Sequence, residues 1–255
     1  MEIAVLQFVI GFLVFIRVTS LLVMAPGFGN RAVPPTVKIA LGVFLAFVLY
    51  PVVSAAHPDV DLRLGSLVIM ALKESAVGLA MGFASGLVFE GVRIAGDLMG
   101  FDLGLSLATL YDPENGTSNN VVAQLLTMTA LMMFFILNGH HFILEALYVS
   151  YSAIPLGQFH ASPALIDGIV TLTGMTLVVG VKLAAPVIVT SFLLNIGMAI
   201  MARVAPQINI FFVGVSMKTG AGMFVLMASA PMIIAVFRKL LLSFEDGMLT
   251  IVKAM

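Results

Sequence analysis

The side chains of this chain that carry chemistry are few and scattered. His140, His141 and Glu145 come nearest to a metal site, with His141 and Glu145 one helical turn apart. A zinc site takes three or four ligands. No other histidine falls in a matching segment, because His57 and His160 lie in turn-rich stretches. "GLSLA" at 104–108 offers a serine but lacks the second glycine of G-x-S-x-G and any paired base nearby. No Walker-type phosphate loop occurs. The absence of cysteine removes thiol nucleophiles and thiolate metal sites. These residues form no convincing catalytic set, metal site or cofactor site, and leave an intramembrane serine protease as the one enzymatic alternative.

The remaining ionisable groups stand out because their background is apolar. Of 255 residues, 61% are hydrophobic and 10% charged, against about 25% charged in a soluble domain. This is the composition of an integral membrane protein. A net charge of −1 excludes nucleic-acid binding by bulk charge. Arg17, Lys73, Glu74, Glu145, Lys182 and Lys218 fall inside or beside apolar segments. Such groups face a bundle interior or a water-filled path.

The elements that must position them are helices. A crossing helix needs ~20 mainly apolar residues. Segments near 3–25, 37–56, 66–89, 121–137, 166–201 and 211–237 qualify, and a shorter apolar piece covers 142–154. The first is too long and too acidic at its start for a signal peptide, and reads as a retained membrane helix. Turn chemistry separates the segments at "APGFGNRAVPP", "AAHPDVDLR", "YDPENGTSNN", "NGHH" and "AIPLGQFHASP". A long irregular region is expected between the third and fourth. The fold class is all-α, a polytopic membrane protein of broken helices and hairpins.

The third segment constrains the assembly. Its apolar residues supply about −6 kcal/mol toward insertion, while Lys73 and Glu74 cost about +6. Sequence neighbours point about 100° apart on a helix, so the two charges cannot simply neutralise each other. Protein or water must face both, and the helix is expected to lie within an assembly, away from lipid. Gly78, Gly82 and Gly86 repeat every four residues, as do Gly96, Gly100 and Gly104. Such stripes let backbones approach closely, either within the chain or between subunits. Between them, Glu90, Arg93 and Asp97 share one helix face. That face is either solvated or part of an ion-pair network in a complex.

Near the C-terminal end, "NIGMAIMARVAPQINIFFVG" (195–214) interrupts an oily run with Arg203, Pro206, Gln207 and Asn209. The stretch closely resembles the signature of the FliR family of flagellar export-gate subunits, related to the SctT subunits of virulence type III secretion systems. "RVTSLLVMAPGFGNRAVPPTVKIAL" (17–41), "GDLMGFDLGLSLATLYDPENG" (96–116) and "FFILNGHHFIL" (134–144) agree with it, in order and over most of the chain.

The resemblance implies a non-enzymatic subunit in the bacterial inner membrane, at the flagellar basal body. It would assemble there with FliP-like and FliQ-like subunits into a channel for unfolded flagellar proteins, contacted by a FlhB-like subunit. Residues 1–165 would be FliP-like, and 166–255 a FliQ-like hairpin with a C-terminal tail. Residues 103–120 would form a plug loop, with Leu103, Gly104, Leu105, Ser106, Leu107, Tyr111, Asp112 and Pro113 as its core. The 203–209 break would be the hairpin turn. There Pro206 interrupts the helix, and Arg203, Gln207 and Asn209 bond the freed backbone or a neighbouring subunit. The alternatives are a secondary transporter of a small solute, which also uses buried charges and broken helices, and an intramembrane protease. The break at 90–120 and that at 202–210 have dissimilar sequences, against the matched halves of many transporters.

Overall fold

The computed structural model describes the chain except for Met1, Arg31, 56–59, 106–119 and Ile208. Its described secondary structure is helical: α1 Glu2–Met24, α2 Pro35–Ala55, α3 Leu64–Asp102, α4 Val121–Ile136, α5 Gly139–Ala153, α6 Pro163–Val204 and α7 Ile210–Ala254. Among the described residues, five helices are long and apolar enough to cross a membrane, or six spans if the α4–α5 pair, bent by 66°, counts as one. The protein is an all-α, polytopic membrane protein.

Helix ends follow local chemistry. Pro35 opens α2 and Pro163 opens α6, at the first-turn position where a missing N–H is harmless. The Ser162 hydroxyl accepts from the Leu165 amide at 3.1 Å and caps α6. Gly104, at φ +76°, ends α3. The Leu105 amide then donates back to Gly100 O at 3.0 Å, satisfying a terminal carbonyl. Asn138 takes the left-handed conformation, φ 60°, and breaks α4 from α5. Pro206 lies in the short turn between α6 and α7.

Three expected boundaries move. The third segment does not stop at Phe89 but runs on to Asp102; most of the irregular region expected after it, 106–119, lies outside the described residues. The region beyond Phe237 is the end of α7 rather than a tail. The 142–154 piece belongs to α5, one arm of the bent pair. The cause is common to all three. Hydropathy locates oily sequence, whereas a helix continues through charged residues at helical spacing, such as Glu90 and Arg93, until a breaker ends it.

The chain divides into two compact units. One comprises the described parts of Met1–Val88, Phe134–Thr173 and Leu242–Met255. Leu13, Val14, Val18, Val77, Met81 and Leu147 are buried in it. The other comprises the described parts of Phe89–Met133 and Gly174–Leu241. Ala95, Met99, Leu103, Ala184, Val187 and Phe237 are buried there, and the Phe89 and Phe237 rings meet edge-on at 6.0 Å.

Candidate functional site

Arg17, on α1, is wholly buried in the first unit. Burying a lone guanidinium in an apolar helix is prohibitive, so its surroundings are the first thing to account for. Nε donates to Glu74 Oε2 at 2.5 Å and Nη2 to Glu74 Oε1 at 3.1 Å, a two-pronged pair with α3. Nη1 donates to Ser150 O and Ser150 Oγ, each at 3.2 Å, and Nη2 to Ile154 O at 3.0 Å. The five N–H groups of an arginine therefore all meet acceptors. The Tyr151 ring lies 4.3 Å from the guanidinium carbon, within cation–π range, and its hydroxyl donates to Val14 O at 3.3 Å. Ser150 O and Ile154 O lie at the C-terminal end of α5, where a cation is favoured; Ser150 O also accepts from Ile154 N at 2.8 Å.

Lys73 and Glu74 meet the same residue from either side. Gly157 N donates to Glu74 Oε1 at 2.8 Å, and Lys73 Nζ donates to Gly157 O at 3.0 Å. The two side chains diverge from α3 and close on the two peptide groups of one glycine. Gly157 holds φ +74°, which suits glycine, and a Cβ there would press on the Met70 side chain. This cluster is a structural clamp that ties α1, α3 and the loop after α5 together. Its groups are consumed by each other, leaving no free acid, base or nucleophile.

Gly78, Gly82, Gly96 and Gly100 are packed against by the chain itself. A Cβ on Gly78 would strike the Arg17 carbonyl and Ser20, and one on Gly82 would strike the Leu21 carbonyl and Met24. Gly86 is looser, 3.5 Å from Met24 O. In the second unit, a Cβ on Gly96 would run into the Ala123 backbone, and one on Gly100 into the Asn120 amide. Asn120, nearly buried, donates through Nδ2 to Gly96 O at 2.9 Å and Asp97 O at 3.2 Å. Its Oδ1 accepts from Val122 N at 3.1 Å, capping α4.

The other expected polar positions lie outward in the chain. Glu90 and Arg93 form an i,i+3 ion pair at 2.7 Å, with their side chains 46% and 58% exposed. Asp97 is exposed and does not join that pair; its carboxylate lies 3.4 Å from Asn120 Nδ2. Arg203 is exposed in the last turn of α6, and Gln207 and Asn209 are exposed in the α6–α7 turn. The last helical bond before Pro206 is Ala205 N donating to Met201 O at 2.9 Å. Glu145 and Lys182 are exposed, and Lys218 is half-buried.

Of the expected plug residues, Leu103, Gly104 and Leu105 are described, while Ser106, Leu107, Tyr111, Asp112 and Pro113 lie outside the described residues. Sequence reading passed over Ser150, Tyr151, Gly157 and Asn120. Only Asn120 carried a signal, as an Asn directly before an apolar helical run.

The family model for bacterial export proteins, family 1, matches residues 8–244. A flagellar biosynthetic protein FliR of Bacillus subtilis is 30% identical over 231 residues, covering 89% of this chain and 88% of that one. The FliR of Escherichia coli is 30% identical, covering 86% and 83%. That of Aquifex aeolicus is 28% identical, covering 86% and 84%.

Proposed function

Because this chain belongs to family 1 of the bacterial export proteins, we propose that it is a structural subunit of the flagellar type III export gate. In this reading it forms, with FliP-like and FliQ-like subunits, the channel through which unfolded flagellar proteins leave the cell. It sits in the bacterial inner membrane at the flagellar basal body, contacts a FlhB-like subunit and performs no catalysis. Residues 1–165 form the FliP-like part, and 166–255 the FliQ-like hairpin, turning at Pro206. Residues 103–120 plug the resting channel, which must hold back ions when no substrate fills it.

The names of the relatives support the flagellar assignment. The observation that carries the assembly is on α6. Large apolar side chains are exposed from Ile166, 59%, through Val181, 54%, and Leu193, 62%, to Val204, 80%. That stretch rises about 58 Å at 1.5 Å per residue, against a hydrocarbon layer of ~30 Å. Lipid cannot cover all of it. Helices of neighbouring subunits with similar apolar faces can, which favours a hetero-oligomer over a self-sufficient small-solute carrier.

Co-expression with the FliP-like and FliQ-like subunits, followed by mass measurement of the detergent-purified product, tests this reading. A large stable hetero-oligomer is the expected result. A monomer or dimer that moves a small solute in liposomes would overturn it in favour of a secondary transporter.

A further inference from the structure

A groove of about 440 Å³ runs between α1 and α2 in the first unit, within the range of about 300–1,000 Å³ for small-molecule sites. Gly11 and the buried Ala46 make its floor, and the exposed rings of Phe8, Phe12 and Phe47 make its rims. The glycines show why it is there. A Cβ on Gly42 would strike Thr19 and the Phe15 ring, whereas one on Gly11 would meet only Tyr50 Cδ2, at 3.7 Å. The two helices therefore run antiparallel, are closest around Gly42, and part toward Gln7 and Tyr50.

The groove matches one leaflet of a bilayer. The apolar spans are Val5–Met24 on α1 and Pro35–Ala55 on α2. Gln7 and Tyr50 lie near one end of these spans, and Phe15 and Val43, at the other end of the groove, lie near their middles. From Gln7 to Phe15 the helix rises about 12 Å, against about 15 Å for half of a ~30 Å hydrocarbon layer. The inner end of the groove is wholly apolar. The outer end carries a carboxamide and a phenol, both hydrogen-bond donors, and neither side chain has a hydrogen-bond partner among the described residues. Tyrosine at that level is a common interfacial anchor. No charged side chain lines the groove.

We propose that this groove holds one acyl chain of a membrane phospholipid, with Gln7 and Tyr50 donating to its ester or phosphate oxygens at the membrane surface. A helix does not fit. Packed helix axes are about 8–10 Å apart, and a helix with its side chains is about 10–12 Å across, so a third helix rides on the phenyl rims and leaves the floor empty. A methylene chain reaches the floor. Lipid tails are as apolar as the groove, so hydrocarbon contact alone does not separate a held chain from passing lipid. The two donors at the outer end do. With no charge at the site, zwitterionic and anionic phospholipids are held alike. The site needs only α1, α2 and a bilayer, and so is independent of the gate assignment.

Photolabelling of the full chain, alone and in the co-expressed complex, tests the site. Two phosphatidylethanolamine probes carry a diazirine either beside the ester or at the end of one acyl chain. Ala46, 6% exposed, reports the floor, and Phe44, 61% exposed and outside the groove, reports passing lipid. The chain-end probe is expected to label Phe15 and Ala46, and the ester-end probe Gln7 and Tyr50, in both preparations. Phosphatidylglycerol probes should give the same pattern. Gly11→Leu, whose Cβ has room, fills the floor and should cut Ala46 labelling several-fold with Phe44 unchanged. Gln7→Leu combined with Tyr50→Phe keeps the groove, removes the donors and should do the same. An unlabelled Ala46 in the parent chain would overturn the proposal without any variant. Labelling of Ala46 that neither variant lowers would show passing lipid only. Labelling in the chain alone that vanishes in the assembled complex would show that a partner's side chain fills the groove instead.

Discussion

Arg17 and Glu74 are 57 residues apart in sequence and 2.5 Å apart in space, both fully excluded from solvent. Neither charge is tolerable there without the other. Removing one partner of a buried pair costs about 3–5 kcal/mol, because the survivor is left unpaired. Arg17→Ala and Glu74→Leu are each expected to reduce the steady-state level of the chain sharply. The double variant Arg17→Met, Glu74→Leu removes both charges and should recover part of that loss. Arg17→Lys is expected to behave like a loss, since an ammonium cannot reproduce the two-pronged contact or reach Ser150 and Ile154 together. Membrane-fraction immunoblotting ranks the four. Recovery by Lys equal to wild type would mean that the fork geometry is unimportant.

Two glycines on apolar helices should respond in opposite directions. Gly78→Val drives a side chain into the α1 backbone at Arg17 and Leu21, an overpacking cost of about 1–3 kcal/mol or more. Gly174, inside α6, has nothing within 4 Å of its Cβ position. Gly174→Ala is expected to stabilise the purified chain by up to about 1 kcal/mol through helix propensity alone. Thermal unfolding of the detergent-solubilised protein reads both signs. A neutral Gly78→Val would mean that α1 and α3 are not held at backbone contact.

These contrasts mark what a single sequence can convey. Arg17 was legible as a problem, because a charge in an apolar run needs a partner. The identity of that partner was not, because nothing in the spacing of residues 17, 74, 150 and 157 connects them before the helices pack. The divergence of Lys73 and Glu74 followed from 100° per residue. Their convergence on one glycine depended on a loop more than eighty residues away. The breaks at Asn138 and Pro206 were readable from local chemistry. The length of α3 was not, since oiliness falls at Glu90 while helical bonding continues to Asp102. A four-residue glycine repeat announces close packing without naming the element that fills it.

Asn120 separates two functions of one amide. Its Oδ1 caps α4, and its Nδ2 donates to the α3 carbonyls. Asn120→Asp keeps the cap acceptor, loses the donor and sets a carboxylate beside Asp97. Asn120→Ala loses both contacts, for about 0.5–2 kcal/mol from the cap alone. Asp is expected to be no better than Ala here, although it is normally an equal cap. Protease resistance of the purified chain distinguishes the cases. Full resistance of Asn120→Asp would mean that the α3 contacts contribute little.

The Glu90–Arg93 pair tests whether an outward face is covered by another subunit. In the chain itself the pair is exposed, and such pairs contribute about 0–1 kcal/mol. Arg93→Ala should therefore leave the isolated chain as stable as the parent. A face that stays in solvent predicts normal complex yield and normal swimming as well. A face buried by a partner predicts a sharp fall in both, since two carboxylates would then be enclosed without a cation. Measuring stability and assembly on the same variant separates the two. A destabilised isolated chain would contradict the exposed geometry itself.

The surface of α3 decides how much of this protein lipid ever sees. Lys73 and Glu74 are satisfied within the chain, so their charges alone no longer force the helix away from the bilayer. Its length still exceeds what lipid can cover. Thirty-nine residues rise about 58 Å, nearly twice a ~30 Å hydrocarbon layer. Val77 and Met81 are buried by the chain, so labelling there reports nothing about neighbours. Ile69, 57% exposed, and Leu72, 66% exposed, face outward near the charged pair. A lipid-soluble carbene should label both strongly when the chain is expressed alone. In the full complex their labelling should fall toward that of Val77, if other subunits enclose α3. Equal labelling of Leu72 in both preparations would place this helix against lipid and confine the subunit contacts to the faces of α6 and α7.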